Sequence, residues 1–171
     1  ATIVDEALDH LGLRVLKLHC SVGNFDADDP RLDHVWRRVS ASGHPVVVHV
    51  GHSVGGTTDA PELAAVGRVA RRWPDARVII AHCGAPAVDA ALVVLRETRS
   101  TYADLTPIGL ALAPVSRAQI AGLEHRLLLG SDAPNTGVSI ERAVGHVRAL
   151  GLDPAGEAAV LGGTAERLLA R

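Results

Sequence analysis

The sequence has no methionine, a single lysine, two cysteines and no pair of histidines spaced H-x-H. Each shortage excludes something. Without methionine, even at position 1, and with the helical pattern IVDEALDHLG at its opening, the sequence is expected to be a piece of a longer protein. Two cysteines, Cys20 and Cys83, do not make a disulfide framework, and the default setting is a reduced, cytoplasmic one. Both read as small core residues; each follows a histidine directly, so a Cys-His metal site is the competing reading. No apolar run approaches the ~20 residues a membrane helix needs, and no cleavable secretory pattern opens the chain. The net charge of -2 favours neither nucleic acid nor an anionic membrane as partner.

What is present is apolar and alternating. The 171 residues are 47% hydrophobic, enough for one domain with a sizeable core. Strands are expected at 14–20, 45–50, 77–82, 100–104 and 126–132. Helices are expected at 31–42, 61–73, 87–97 and 139–150, with a weaker one at 115–123 and short ones after Pro154 and Thr164. Asp29-Pro30 supplies the cap and first-turn proline of the 31–42 helix. Near-continuous Val/Ile/Leu strands that alternate with helices indicate a parallel sheet covered on both faces. His19, His49, His82, Asp104 and Asp132 then sit at strand carboxyl ends, spaced by 30, 33, 22 and 28 residues, close to the ~30 residues of a βαβ unit. Those ends face one surface, where sites of parallel α/β folds lie. His10, His34, His125 and His146 read as surface residues.

These residue types suit a metal site. Neutral imidazole is the commonest protein metal ligand, and carboxylates complete the set. His49 and Asp132 are candidates to bind one divalent ion. His82 is placed to hydrogen-bond a water or a substrate oxygen, and Asp132 to accept a proton. Alternation puts Lys17 on the face of His19. If Leu16 and Leu18 face the helices, Lys17 and His19 face inward as substrate-binding candidates, with His52 a further one from a loop. A structural ion pair is the other reading of Lys17. Asp104 reads as a strand cap.

Gly51-His-Ser-Val-Gly55 also matches the G-x-S-x-G nucleophile turn, with Ser53, Asp132 and His146 in triad order. The context is poorer, because such a turn needs its helix to begin at the serine, whereas Asp59 and Pro61 mark a later start. DADDPRLD offers two aspartates to a calcium loop but has Arg31 where glycine is required and Arg37 where glutamate is; it reads as a capped turn.

VVVHVG, RVIIAHCG, STYADLT and LLLGSDAP, in this order, resemble strands five to eight of the amidohydrolase superfamily, in the branch that includes aminocarboxymuconate-semialdehyde decarboxylase. RVLKLHC resembles strand four and GGTAERLL the closing helix. The resemblance implies the carboxyl-terminal part of a (β/α)8 TIM-type barrel, strands four to eight with their helices. It also implies a divalent metal, usually zinc, with His49 and Asp132 as ligands, His82 on the substrate or activated water, and Asp132 shuttling protons. The expected activity is hydrolysis of a small carbonyl-type substrate, with non-oxidative decarboxylation of a small carboxylic acid, aromatic or not, as the alternative. The family's strand-one H-x-H ligands are absent, and about 250 residues are needed for a whole barrel. The piece alone can therefore be inactive, a non-catalytic barrel fragment. Its open sheet edges are expected to make it marginally stable and prone to self-association.

Overall fold

The computed structural model describes residues 2–50, 59–107 and 115–170. The chain opens with α1 (Ile3–Asp5), held by a reciprocal cap between Thr2 and Asp5 and continued by a π-helical turn to His10. Five strands follow in order: β1 (Leu16–Leu18), β2 (Val46–Val48), β3 (Val78–Ile80), β4 (Thr101–Asp104) and β5 (Leu127–Leu128). All neighbours pair in parallel, and the spatial order β1-β2-β3-β4-β5 equals the chain order. A doubly wound sheet reverses its order at a switch point, whereas a (β/α)8 barrel never does. The architecture is that of five consecutive strands of such a barrel. Among the described residues β1 and β5 are its two edges.

Between the strands run α2 (Cys20–Gly23), α3 (Asp33–Ser42), α4 (Asp59–Arg72), α5 (Val88–Glu97) and α6 (Arg117–Ile120); α7 (Ile140–Ala149), α8 (Pro154–Ala158) and α9 (Thr164–Leu169) end the chain. The start of α3 follows the expected signal: Asp29 accepts the Arg31 N–H at 2.8 Å and Pro30 opens a 3-10 turn. α4 is described from Asp59 onward. No described helix is long and apolar enough to cross a membrane.

Strand alternation divides the sheet into two faces. Val46, Val48, Val78, Ile80, Ala103 and Leu127 are each 1% exposed or less and point into the helix layer, against Trp36, Val39, Leu63, Val66, Leu92 and Leu95. Burying each aliphatic side chain contributes about 1.5–3 kcal/mol, so this layer carries most of the stability. The Trp36 indole N–H donates to Ala27 O at 2.8 Å, pinning the acidic loop that precedes α3. Arg68–Asp28 and Arg72–Asp33 ion pairs tie that region to α4. On the opposite face Val47, Ile79, Tyr102 and Leu128 pack against Leu168 and Ala165 of α9, a small inner core. The guanidinium of Arg77 donates to Leu168 O at 3.0 Å and fixes α9 there.

The strands are shorter than the apolar runs suggest. His19, His49, His82 and Asp132 consequently lie just beyond strand ends rather than in them; only Asp104 is a strand residue. Cys20–Gly23 is a helical turn where the sequence pattern shows strand and loop, ended by left-handed Asn24. The 115–123 helix shrinks to α6, four residues capped by Ser116 and Gln119. Cys20 and Cys83 are free and buried, and burial pushes their thiols up to about 11 and about 12. His10, His34 and His125 are exposed, but His146 is half-buried in α7, with Nε2 shielded from solvent.

Candidate active site

The site is built at the carboxyl ends of β1 to β4. In the β1–β2 register Lys17 stands opposite Val47 and Leu18 opposite Val48. Leu16 and Leu18 pack into the helix layer, so Lys17 and His19 take the inner face, as alternation predicts. Beyond the ladder His49 N–H donates to Leu18 O at 2.8 Å, which sets His49 beside His19. Their rings stack with centroids 3.9 Å apart and planes 16° from parallel. Ser21 Oγ lies 3.3 Å from His19 Nδ1.

His82 reaches the same place by a different route. Ile80 faces the helices, so simple alternation would send His82 to the helix side as well. The backbone prevents this: His82 (φ 56°, ψ 22°) and Cys83 (φ 48°, ψ 31°) are both left-handed, and Gly84 follows at φ +67°. Each non-glycine residue there costs roughly 1–2 kcal/mol. The turn re-aims the imidazole, whose ring meets that of His49 edge-on with centroids 5.1 Å apart. The His82 N–H is taken by Asp104 Oδ1 at 2.9 Å, and the same oxygen accepts Thr106 N–H at 3.1 Å. Gly130 leaves room for this arrangement, because a Cβ there would collide with Thr106 Oγ1 and lie 3.2 Å from Asp104 Oδ1.

Asp132 is exposed and also left-handed, at φ 50°. Asn135 Nδ2 donates to its Oδ1 at 3.3 Å. Its negative charge reaches His49 and favours the imidazolium, but weakly. Burial of the ring comes first, followed by the neighbouring His19, His82 and Lys17, and together they hold the His49 pKa down at about 4. Burial and Lys17 lower that of His19 too. His49 is therefore neutral at pH 7, with its lone pair available. His49 Nε2 and His82 Nδ1 are buried and have no hydrogen-bond partner among the described residues. A polar atom left so costs about 1–3 kcal/mol, and an incoming donor, water or cation removes that cost.

The structure thus brings together Lys17, His19, His49 and His82, and leaves Asp132 at the rim. His52 and Ser53 lie outside the described residues. A cleft of about 520 Å³ lies at the other end of the sheet, lined by Arg14, Pro45, Arg77 and Leu168 among others and by none of these candidates. Two imidazoles with unpartnered nitrogens and a carboxylate are suitable donors for a borderline divalent cation. They are fewer than the four positions zinc fills, and no group of three or more His, Cys, Asp or Glu among the described residues is arranged to hold a metal. The donor chemistry fits one side of a metal site.

The amidohydrolase family model matches residues 1–171, the whole chain. The chain belongs to the amidohydrolase family. No curated protein matches it, but solved structures do. A TIM-barrel protein from Bordetella bronchiseptica superposes with a TM-score of 0.79 at 25% identity, over 96% of this chain and 59% of that one. A zinc-bound amidohydrolase from Burkholderia multivorans gives 0.64 at 21% identity, over 84% and 58%. The 4-oxalomesaconate hydratase of Rhodopseudomonas palustris gives 0.61 at 14% identity, over 97% and 58%. The amidohydrolase chain therefore spans just under three-fifths of these relatives, and its five strands correspond to part of their barrels.

Proposed function

We propose that the chain supplies strands four to eight of a metal-dependent hydrolase barrel that acts on a small carbonyl-type substrate. One observation carries this reading: His49 Nε2 and His82 Nδ1, on rings 5.1 Å apart at the carboxyl ends of adjacent strands, are buried without partners among the described residues. His49 and Asp132 would hold the divalent cation, zinc by donor type and by analogy with the Burkholderia relative. The cation supplies Lewis acidity that activates water and polarises a carbonyl. His82 orients the water or the substrate oxygen. Asp132, exposed at the rim, accepts the proton released on attack and returns it to the leaving group. Lys17, an inward cation with no acidic partner within ion-pair distance among the described residues, holds a substrate carboxylate, with His19 beside it. That same feature favours non-oxidative decarboxylation of a small acid as the second reading. The open edges of β1 and β5 are proposed to recruit further chain by strand addition, and two free buried thiols suit a reducing, cytoplasmic setting.

Calorimetric titration of zinc chloride into the 171-residue chain tests the reading. The unaltered chain is expected to bind one equivalent, and His49→Ala and Asp132→Asn each to weaken binding at least tenfold. Equal affinity in all three, or no binding to any, removes the assignment.

A further inference from the structure

We propose that Asp104 is the positioning residue of this site: its carboxylate, by accepting the His82 N–H, holds the left-handed turn that aims the His82 imidazole at His49. The inference rests on the reading above only in taking His82 as a working group. Four features support it. The His82-Cys83-Gly84 turn is left-handed throughout, a conformation that two of its three residues do not favour on their own. The contact that restrains His82 from the inner face comes from Asp104 on the neighbouring strand, at 2.9 Å. Asp104 itself is fixed, since its Oδ1 also accepts Thr106 N–H and it belongs to β4. The end of β5 is kept bare at Gly130, where a methyl group would displace the Thr106 hydroxyl and press on the same oxygen.

On the helix side the turn is closed by Ala85 N–H to His82 O at 3.0 Å and Ala87 N–H to Gly84 O at 2.8 Å. Those bonds close the turn within its own segment, whereas Asp104 holds it from the neighbouring strand. A carboxylate oxygen accepting two N–H groups is a stiff, charge-assisted anchor, whereas an alanine at 104 leaves the His82 N–H buried and unsatisfied and frees the turn to relax toward extended backbone.

Nuclear magnetic resonance on the zinc-free chain tests this. In the unaltered protein a trans-hydrogen-bond coupling is expected between His82 ¹⁵N and Asp104 ¹³Cγ, with cross-relaxation between the ring protons of His82 and His49. Asp104→Asn keeps an oxygen acceptor and is expected to retain the ring contact. Asp104→Ala is expected to lose it and to speed His82 amide exchange at least tenfold. Absence of the coupling in the unaltered chain overturns the proposal even if the alanine variant does not fold. Survival of the ring contact in Asp104→Ala, or its equal loss in Asp104→Asn, also overturns it. Because no metal is present, failure of zinc binding refutes the functional reading and leaves this one standing, and the converse also holds.

Discussion

Substitution of Gly84 by alanine probes the packing of the left-handed turn against α5. The residue sits at φ +67°, and an added Cβ would lie 2.8 Å from Ala91 Cβ, 3.1 Å from Leu63 Cδ2 and 3.3 Å from Leu63 Cδ1. Carbon atoms prefer separations of about 3.5–4.0 Å. The left-handed backbone costs a residue with a Cβ about 1–2 kcal/mol, and overpacking a filled core costs about 1–3 kcal/mol. The expected loss is therefore about 2–5 kcal/mol, a large part of the ~5–15 kcal/mol that typically holds a domain together. The clash with α5 is separable from the backbone strain. Ala91→Gly removes the closest atom at a cost of about 1 kcal/mol for a helix-interior glycine. In the Gly84→Ala background it should relieve strain, making the double variant about 1–2 kcal/mol more stable than the two single effects add up to. Urea unfolding followed by tryptophan fluorescence reads this, since Trp36 is buried in the same layer. A single-variant loss below about 1 kcal/mol, or strict additivity in the cycle, would refute the packing argument.

Other perturbations have smaller or pH-dependent outcomes. Trp36→Phe should cost about 2–4 kcal/mol, because it leaves a void and strands the Ala27 carbonyl that the indole serves; the urea midpoint should fall with an unchanged slope. Arg68→Ala should cost less than about 1 kcal/mol and lose even that in high salt, since the Arg68 side chain is 53% exposed. His49 titrates at about 4 in the folded chain against 6.5 unfolded, so the unfolded chain takes up the proton first. Stability from this residue is present above pH 6.5 and is lost as the pH falls from 6.5 to 4. The full shift corresponds to about 3 kcal/mol, which solvent screening of a half-buried ring reduces to about 1–2 kcal/mol. The fall in urea midpoint between pH 7 and pH 4.5 should shrink accordingly in His49→Gln, and an unchanged fall would contradict the assignment.

The barrel-type arrangement was legible because its signals are local. Val46–Val48 and Val78–Ile80 are β-branched runs, the second buried on both faces and the first on its helix side, and each is followed by a helix. The inward direction of Lys17 and His19 also followed from alternation alone, once Leu16 and Leu18 were assigned to the helix layer. The grouping of His49 with His82 was expected from strand position, and the structure does bring the two rings together. The mechanism behind it was not legible. His82 lies one step out of phase, and only the left-handed turn corrects it; the glycine at 84 is the sole hint in the letters His-Cys-Gly. Asp104 read as a mere cap, because its partners are backbone N–H groups that no sequence pattern displays. The helical turn at Cys20–Gly23 was missed for a similar reason: left-handed Asn24 ends it, and asparagine there signals a stop only when the start is known.

The inner core beneath the histidines gives the fold a division of labour. Leu168 and Ala165 stopper the sheet from below, against Ile79 and Leu128. Floor and mouth can thus drift apart in evolution: exchanges among the stopper residues should shift thermal endurance without altering selectivity, while the rim is free to be retailored for a new compound on an unchanged foundation.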